Sequence, residues 1–69
     1  MTDSAKLRDW INWKGLKLKA IAKAMHISPY ALSKKIDNIT EFKASEIAVF
    51  TNTYGMGAED RDKIFFSAM

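Results

Sequence analysis

Cysteine is absent from this 69-residue chain, proline occurs once and glycine three times. The lack of cysteine excludes a disulfide framework and every thiolate metal site. A single histidine, His26, has no second imidazole with which to share a metal and leaves catalysis at most one ring. Nothing supplies a base, a nucleophile and an orienting group together, so the chain reads as a non-enzyme with no cofactor, no metal and no small-molecule substrate. No apolar run approaches the roughly 20 residues of a membrane-spanning helix, and Met1-Thr2-Asp3-Ser4 does not open a signal peptide. These absences predict one soluble, intracellular domain spanning residues 1–69, with no membrane partner.

What is present is apolar and unevenly charged. Hydrophobic residues make up 48% of the chain and aromatics 12%, too much for a disordered segment. Net charge is +3, but residues 1–35 carry eight basic side chains against Asp3 and Asp9, a balance of +6. Residues 36–69 carry Lys43, Arg61 and Lys63 against six acids, a balance of −3. That asymmetry fits one face for a polyanion and another for something else, or equally a lysine face that serves only solubility.

The glycines and Pro29 fall where helices start or stop, with helical periodicity between them. A first helix, capped by Ser4, runs to about Lys14 with Leu7, Trp10 and Ile11 on one face, and Gly15 ends it. A second covers Leu18 to Met25, its stripe formed by Leu18, Ile21, Ala22 and Met25. Ser28 is the N-cap and Pro29 the first residue of a third helix reaching about Ile36. A loop, Asp37 to Phe42, holds one or two apolar anchors. A fourth helix spans roughly Ala44 to Tyr54 and stops at Gly55. Gly57 caps a fifth, Ala58 to about Phe66, whose opening acids Glu59, Asp60 and Asp62 suit the positive end of the helix dipole. No strand pattern or repeat is visible, so the predicted fold class is all-α, with five short helices.

Helices two and three are joined by only His26, Ile27 and Ser28, a length that fits a helix-turn-helix over about residues 18–36. Such a unit needs a small residue at the crossing, an apolar plug in the turn and an anchor beneath the second helix. Ala22, Ile27 and Leu32 fill those places.

These same residues carry a resemblance. Lys14-Gly15-Leu16, Ile21-Ala22, Met25, Ile27-Ser28, Leu32-Ser33 and Lys34-Lys35-Ile36 are similar to the Cro/repressor-type helix-turn-helix domains of phages and bacteria. The run Asp37 to Phe42, then Ser45-Glu46-Ile47, and the end Glu59 to Phe66 resemble the phage-borne branch. The resemblance covers about nine-tenths of the chain as a diffuse pattern with no invariant signature. It implies a compact five-helix bundle of the lambda-repressor-like type, acting on double-stranded operator DNA in a genetic switch, in the cytoplasm and nucleoid of a bacterial or phage-infected cell. With no second domain, the chain resembles a Cro-type switch protein more than a full repressor. It departs from the family at His26, where glycine is usual, at Lys17, where threonine or serine is usual, and at Pro29-Tyr30-Ala31, which offers bases few hydrogen bonds.

By position, the resemblance implies base contacts from Ser28, Pro29, Tyr30, Ser33 and Lys34, and phosphate contacts from Lys17, Lys19, Asn38 and Lys43. Phosphate contacts position a protein on DNA; base contacts specify sequence. Alternatives stand beside these assignments: Tyr30 packs against the loop at Phe42, or Lys34 and Lys35 form a solvated face. The apolar chain end, Ile64, Phe65, Phe66 and Met69, reads as a protein interface, for a homodimer on DNA or for a partner repressor. A competing function follows from it: a small antirepressor-like modulator that uses the same fold to hold a repressor protein. Trp13 also fits a monomer poorly, although scattered exposed hydrophobics are normal.

Overall fold

The computed structural model describes residues 1–66. Its helices are α1 (Ser4–Lys14), α2 (Leu18–Ala24), α3 (Pro29–Ile36), α4 (Ala44–Asn52) and α5 (Ala58–Phe65). The described residues contain no strand, and among them no helix is long and apolar enough to cross a membrane. The architecture is all-α, as the periodicity predicts.

Helix starts follow local chemistry, with one correction. Asp3, in extended backbone, caps α1 by accepting the Lys6 N–H at 3.1 Å. Ser4, expected in that place, already lies inside the helix, and its hydroxyl donates to the Ile36 carbonyl oxygen. A carboxylate both accepts the orphan N–H and favours the positive end of the dipole, so Asp3 wins the position. Ser28 caps α3 as expected, accepting the Ala31 N–H at 3.0 Å, with Pro29 as the first helical residue.

Helices α1, α2 and α3 end by one device. The residue after the last helical turn is left-handed, at Gly15 (φ 72°), His26 (φ 61°) and Asn38 (φ 63°). In each case the next N–H reaches five residues back: Leu16 to Ile11 oxygen, Ile27 to Ala22 oxygen and Ile39 to Lys34 oxygen, at 3.1, 3.0 and 2.9 Å. This is the Schellman pairing, which satisfies otherwise unpaired helix carbonyls. Left-handed backbone is awkward for a residue with a Cβ, and histidine and asparagine are among those that tolerate it best. His26→Gly therefore raises stability by roughly 0.5–1 kcal/mol, strain relief exceeding the added unfolded-chain entropy. A urea midpoint below that of the native chain contradicts this.

Helix α4 stops at Asn52, two residues short of the expected Tyr54, because Thr51, Asn52 and Thr53 are poor helix formers. Gly55 (φ 72°) then turns the chain so that the Met56 N–H meets the Phe50 carbonyl at 3.0 Å, and Met56 enters the core. That core gathers Leu7, Trp10 and Ile11 of α1, Ile21 and Ala22 of α2, Leu32 and Ile36 of α3, and Phe50 of α4. Phe50 is its centre, with ring centroids of Trp10, Phe42 and Phe65 at 5.9, 5.9 and 5.5 Å.

The chain end requires a second correction. Ile64 and Phe65, expected on a protein interface, are 3% and 5% exposed. Helix α5 lies back against α1, where the Asp3 N–H donates to the Ile64 carbonyl at 2.7 Å, and Phe65 packs on Phe42 and Phe50. The aromatic centre thus absorbs the surface that looked surplus in sequence. Phe66 alone of the described group stays exposed; Met69 lies outside the described residues.

One ion pair is buried at the α3–α4 junction. The Lys35 ammonium meets Glu46 Oε1 at 2.9 Å, and the same carboxylate accepts the Lys43 N–H at 2.7 Å. Burial pushes the Glu46 carboxyl up, but the Lys43 N–H, the Lys35 ammonium and the Lys43 charge together hold it below its ordinary value. A carboxyl lowered by folding contributes stability above its unfolded-chain value, and loses it as pH falls through the lowered folded value. Glu46→Gln therefore weakens the fold by about 1.5–3 kcal/mol at pH 7. The variant and native chains converge as the medium is acidified below the ordinary carboxylate range, which urea midpoints across a pH series will show.

Candidate nucleic-acid interface

No acidic residue lies between Asp9 and Asp37, a stretch holding Lys14, Lys17, Lys19, Lys23, Lys34 and Lys35. It contains all of α2 and α3, which pack on each other through the positions the spacing selected. Ala22 is 1% exposed and Leu32 fully buried, with Ile27 half-buried in the turn. Anchoring α3 from beneath turns its opposite face outward.

On that outer face Tyr30 is 75% exposed. It does not pack at the Phe42 loop, because the Phe42 ring is held between Phe50 and Phe65. Instead the Lys34 ammonium lies over the Tyr30 ring, 5.4 Å from its centroid, as residues one helical turn apart can. Ser33 and Lys34 are half-exposed, and Ser28 and Pro29 are exposed at the head of the helix. Ser28 uses its oxygen for the cap, which leaves its O–H free to donate outward. The five expected base-contact residues thus occupy one helix and its cap.

The structure separates the two adjacent lysines. Lys35 is committed to Glu46 and to the Glu41 carbonyl at 3.0 Å, whereas Lys34 keeps its charge at the surface over Tyr30. Lys17, Lys19 and Lys43 are exposed, the first two opening α2 and the third preceding α4.

Asn38 departs from its expected phosphate role. Its amide nitrogen donates to the Thr2 carbonyl at 2.7 Å and to Ser4 Oγ at 3.2 Å, and its amide oxygen accepts the Thr2 N–H at 3.0 Å. Both ends of the side chain serve the fold, tying the N-terminal segment to the end of α3. Arg8 adds to the same tie by donating to Asp37 at 2.8 Å. Sequence reasoning missed this clasp, which spans about half the chain and follows no local period. The signal available was Asn38 itself, a residue suited to a left-handed turn directly after a helix.

The assembled face offers one ammonium, two hydroxyls on side chains of α3, one on its cap, and an aromatic ring, on helices that themselves contain no acidic residue. Such groups can donate to and accept from base edges and phosphates while an aromatic edge meets a methyl group. No protein family, curated protein or solved structure matches the chain.

Proposed function

We propose that the chain is a sequence-reading DNA-binding transcriptional regulator of the Cro/repressor type, placing α3 in the major groove of an operator. The observation that carries this reading is the exposed Tyr30 ring with the Lys34 ammonium over it, on a pair of helices, α2 and α3, that contain no acidic residue. In this reading Lys34 meets guanine O6 or N7, Tyr30 presents its ring to a thymine methyl and its hydroxyl to a base or phosphate, and Ser28 and Ser33 hydrogen-bond alongside. Pro29 lies against the groove as an apolar contact. Lys17, Lys19 and Lys43 hold phosphates. The resemblance to phage and bacterial switch proteins supplies the biological setting, a genetic switch in which two copies bind a pseudo-palindrome in half-sites one helical turn apart.

Selection from a random duplex library by the purified chain, at near-physiological salt, tests the reading. A palindromic motif is the expected result. Retention without a motif, falling steeply with salt, reduces the interaction to phosphates. No retention rejects DNA as the ligand and favours a protein partner for the same face. Lys34→Ala should weaken binding to the selected site and relax preference at one base pair by about 1 kcal/mol, the low end for a point-charge lysine. An unchanged motif would remove Lys34 from the reading set.

A further inference from the structure

The outer face of α3 is short of hydrogen-bonding groups where the helix begins. Pro29 is exposed and presents only its ring, Tyr30 is 75% exposed, and the Ser28 oxygen is taken up by the Ala31 N–H. One turn on, the Lys34 ammonium lies 5.4 Å from the Tyr30 ring centroid and forms no ion pair among the described residues. The head of the helix is thus an aromatic surface and a cation held side by side, with a proline ring before them.

Each of these groups can read one thing in a major groove. An apolar surface recognises the C5-methyl of a pyrimidine, and an ammonium recognises O6 and N7 of guanine. The ring and the ammonium cannot serve base pairs far apart. Successive pairs are stacked about 3.4 Å apart, so a separation of 5.4 Å belongs to two neighbouring pairs.

We propose that Tyr30 and Lys34 act as one unit that reads a 5′-pyrimidine–guanine-3′ step carrying a methyl group on C5 of the pyrimidine. The inference deepens the DNA-binding reading and rests on it. Thymine meets the requirement, and so does 5-methylcytosine, which carries the same methyl group on the same ring atom. Plain cytosine does not. A pyrimidine–purine step is easily unstacked, so the methyl stands clear beside the guanine edge. The exocyclic groups of the two pyrimidines differ, an acceptor on thymine and a donor on cytosine, and the phenolic hydroxyl of Tyr30 can answer either. The unit therefore accepts TG and methylated CG alike and disfavours unmethylated CG. Methylation of an operator cytosine becomes a regulatory input, turning a rejected step into an accepted one. An amide side chain in place of Tyr30 would read the exocyclic group and be blind to the methyl.

Parallel selections from two random duplex libraries test this at near-physiological salt, one ordinary and one with 5-methylcytosine in place of every cytosine. The expected result is a TG step in the first motif, replaced freely by methylated CG at the same place in the second. On the selected duplex, deoxyuridine in place of that thymine removes only the methyl and should weaken binding about fourfold, the worth of one buried methyl group. Methylated CG should bind like TG, and unmethylated CG about fourfold more weakly. Tyr30→Ala should bind the thymine and deoxyuridine duplexes equally, with an unchanged circular dichroism spectrum. Tyr30→Phe keeps the ring and should keep the preference for thymine. Equal affinity of the native chain for the thymine and deoxyuridine duplexes, methylated CG no tighter than unmethylated CG, or a methyl preference that survives in Tyr30→Ala would each overturn the proposal. A motif with no pyrimidine–guanine step overturns it alone, whereas no motif from either library overturns it together with the DNA-binding reading.

Discussion

Phe50→Ala lowers the stability of this domain by about 3–5 kcal/mol, the range for truncating a buried phenylalanine. Phe50 is fully buried and, among the described residues, is the only one whose ring meets Trp10 of α1, Phe42 of the α3–α4 loop and Phe65 of α5 together. Removing it opens a void at the point where those three segments converge, and none can close it without losing contact with the others. A chain of this length holds about 3–10 kcal/mol in all, at roughly 0.05–0.15 kcal/mol per residue. The expected outcome is a chain largely unfolded at 37 °C, seen as loss of near-ultraviolet circular dichroism and a urea midpoint close to zero. Trp13→Ala, at an exposed position, should move the midpoint by less than about 0.5 kcal/mol. A Phe50→Ala shift no larger than that would show that the aromatic contacts do not hold the bundle together.

The same contrast marks how far the sequence was legible. Gly15, Ser28 with Pro29, and Gly57 act through their own backbone or the next turn, so their positions gave helix ends to within a residue or two. Ala22 and Leu32 were legible as core because period and neighbours agreed. Phe65 was not: its burial depends on Phe42 and Phe50, 23 and 15 residues earlier in the chain. An apolar chain end looks surplus until that distant receiver is known. Lys35 and Glu46 carry the same lesson, since no local pattern distinguishes the lysine paired with a carboxylate from the one beside it that lies over Tyr30.

The candidate site was legible to the extent that it lies on one helix. Ser28, Pro29, Tyr30, Ser33 and Lys34 are ordered by the 3.6-residue period, which also places Leu32 beneath them. Asn38 was assigned to phosphate because it follows that helix, yet its amide is spent on Thr2 and Ser4. A polar residue after a helix can face solvent or close the chain on itself, and only tertiary structure decides. Asn38→Ala should therefore weaken the fold by loosening the N-terminal clasp, while the folded variant keeps the native affinity for DNA.

Salt dependence is the most discriminating property of the DNA reading, because only cationic side chains set it. In that reading three exposed lysines, Lys17, Lys19 and Lys43, would neutralise phosphates in each copy. Each neutralised phosphate contributes a slope of about −0.9 to log affinity against log salt, so one copy gives about −2.7 and two give about −5.4. Between 50 and 200 mM salt the affinity for a selected duplex then falls about 40-fold for one copy, and on the order of 10³-fold for a pair. Lys17→Ala should reduce the magnitude of the slope by about 0.9 per bound copy, whereas Lys34→Ala should act mainly on sequence preference. Fluorescence anisotropy with a labelled duplex at five or six salt concentrations measures all of these. A slope near zero would leave the +6 half of the chain a solubilising surface. A slope near −2.7 on a palindromic duplex would mean that the two half-sites are filled independently. The steeper value would mean that two copies bind the operator together.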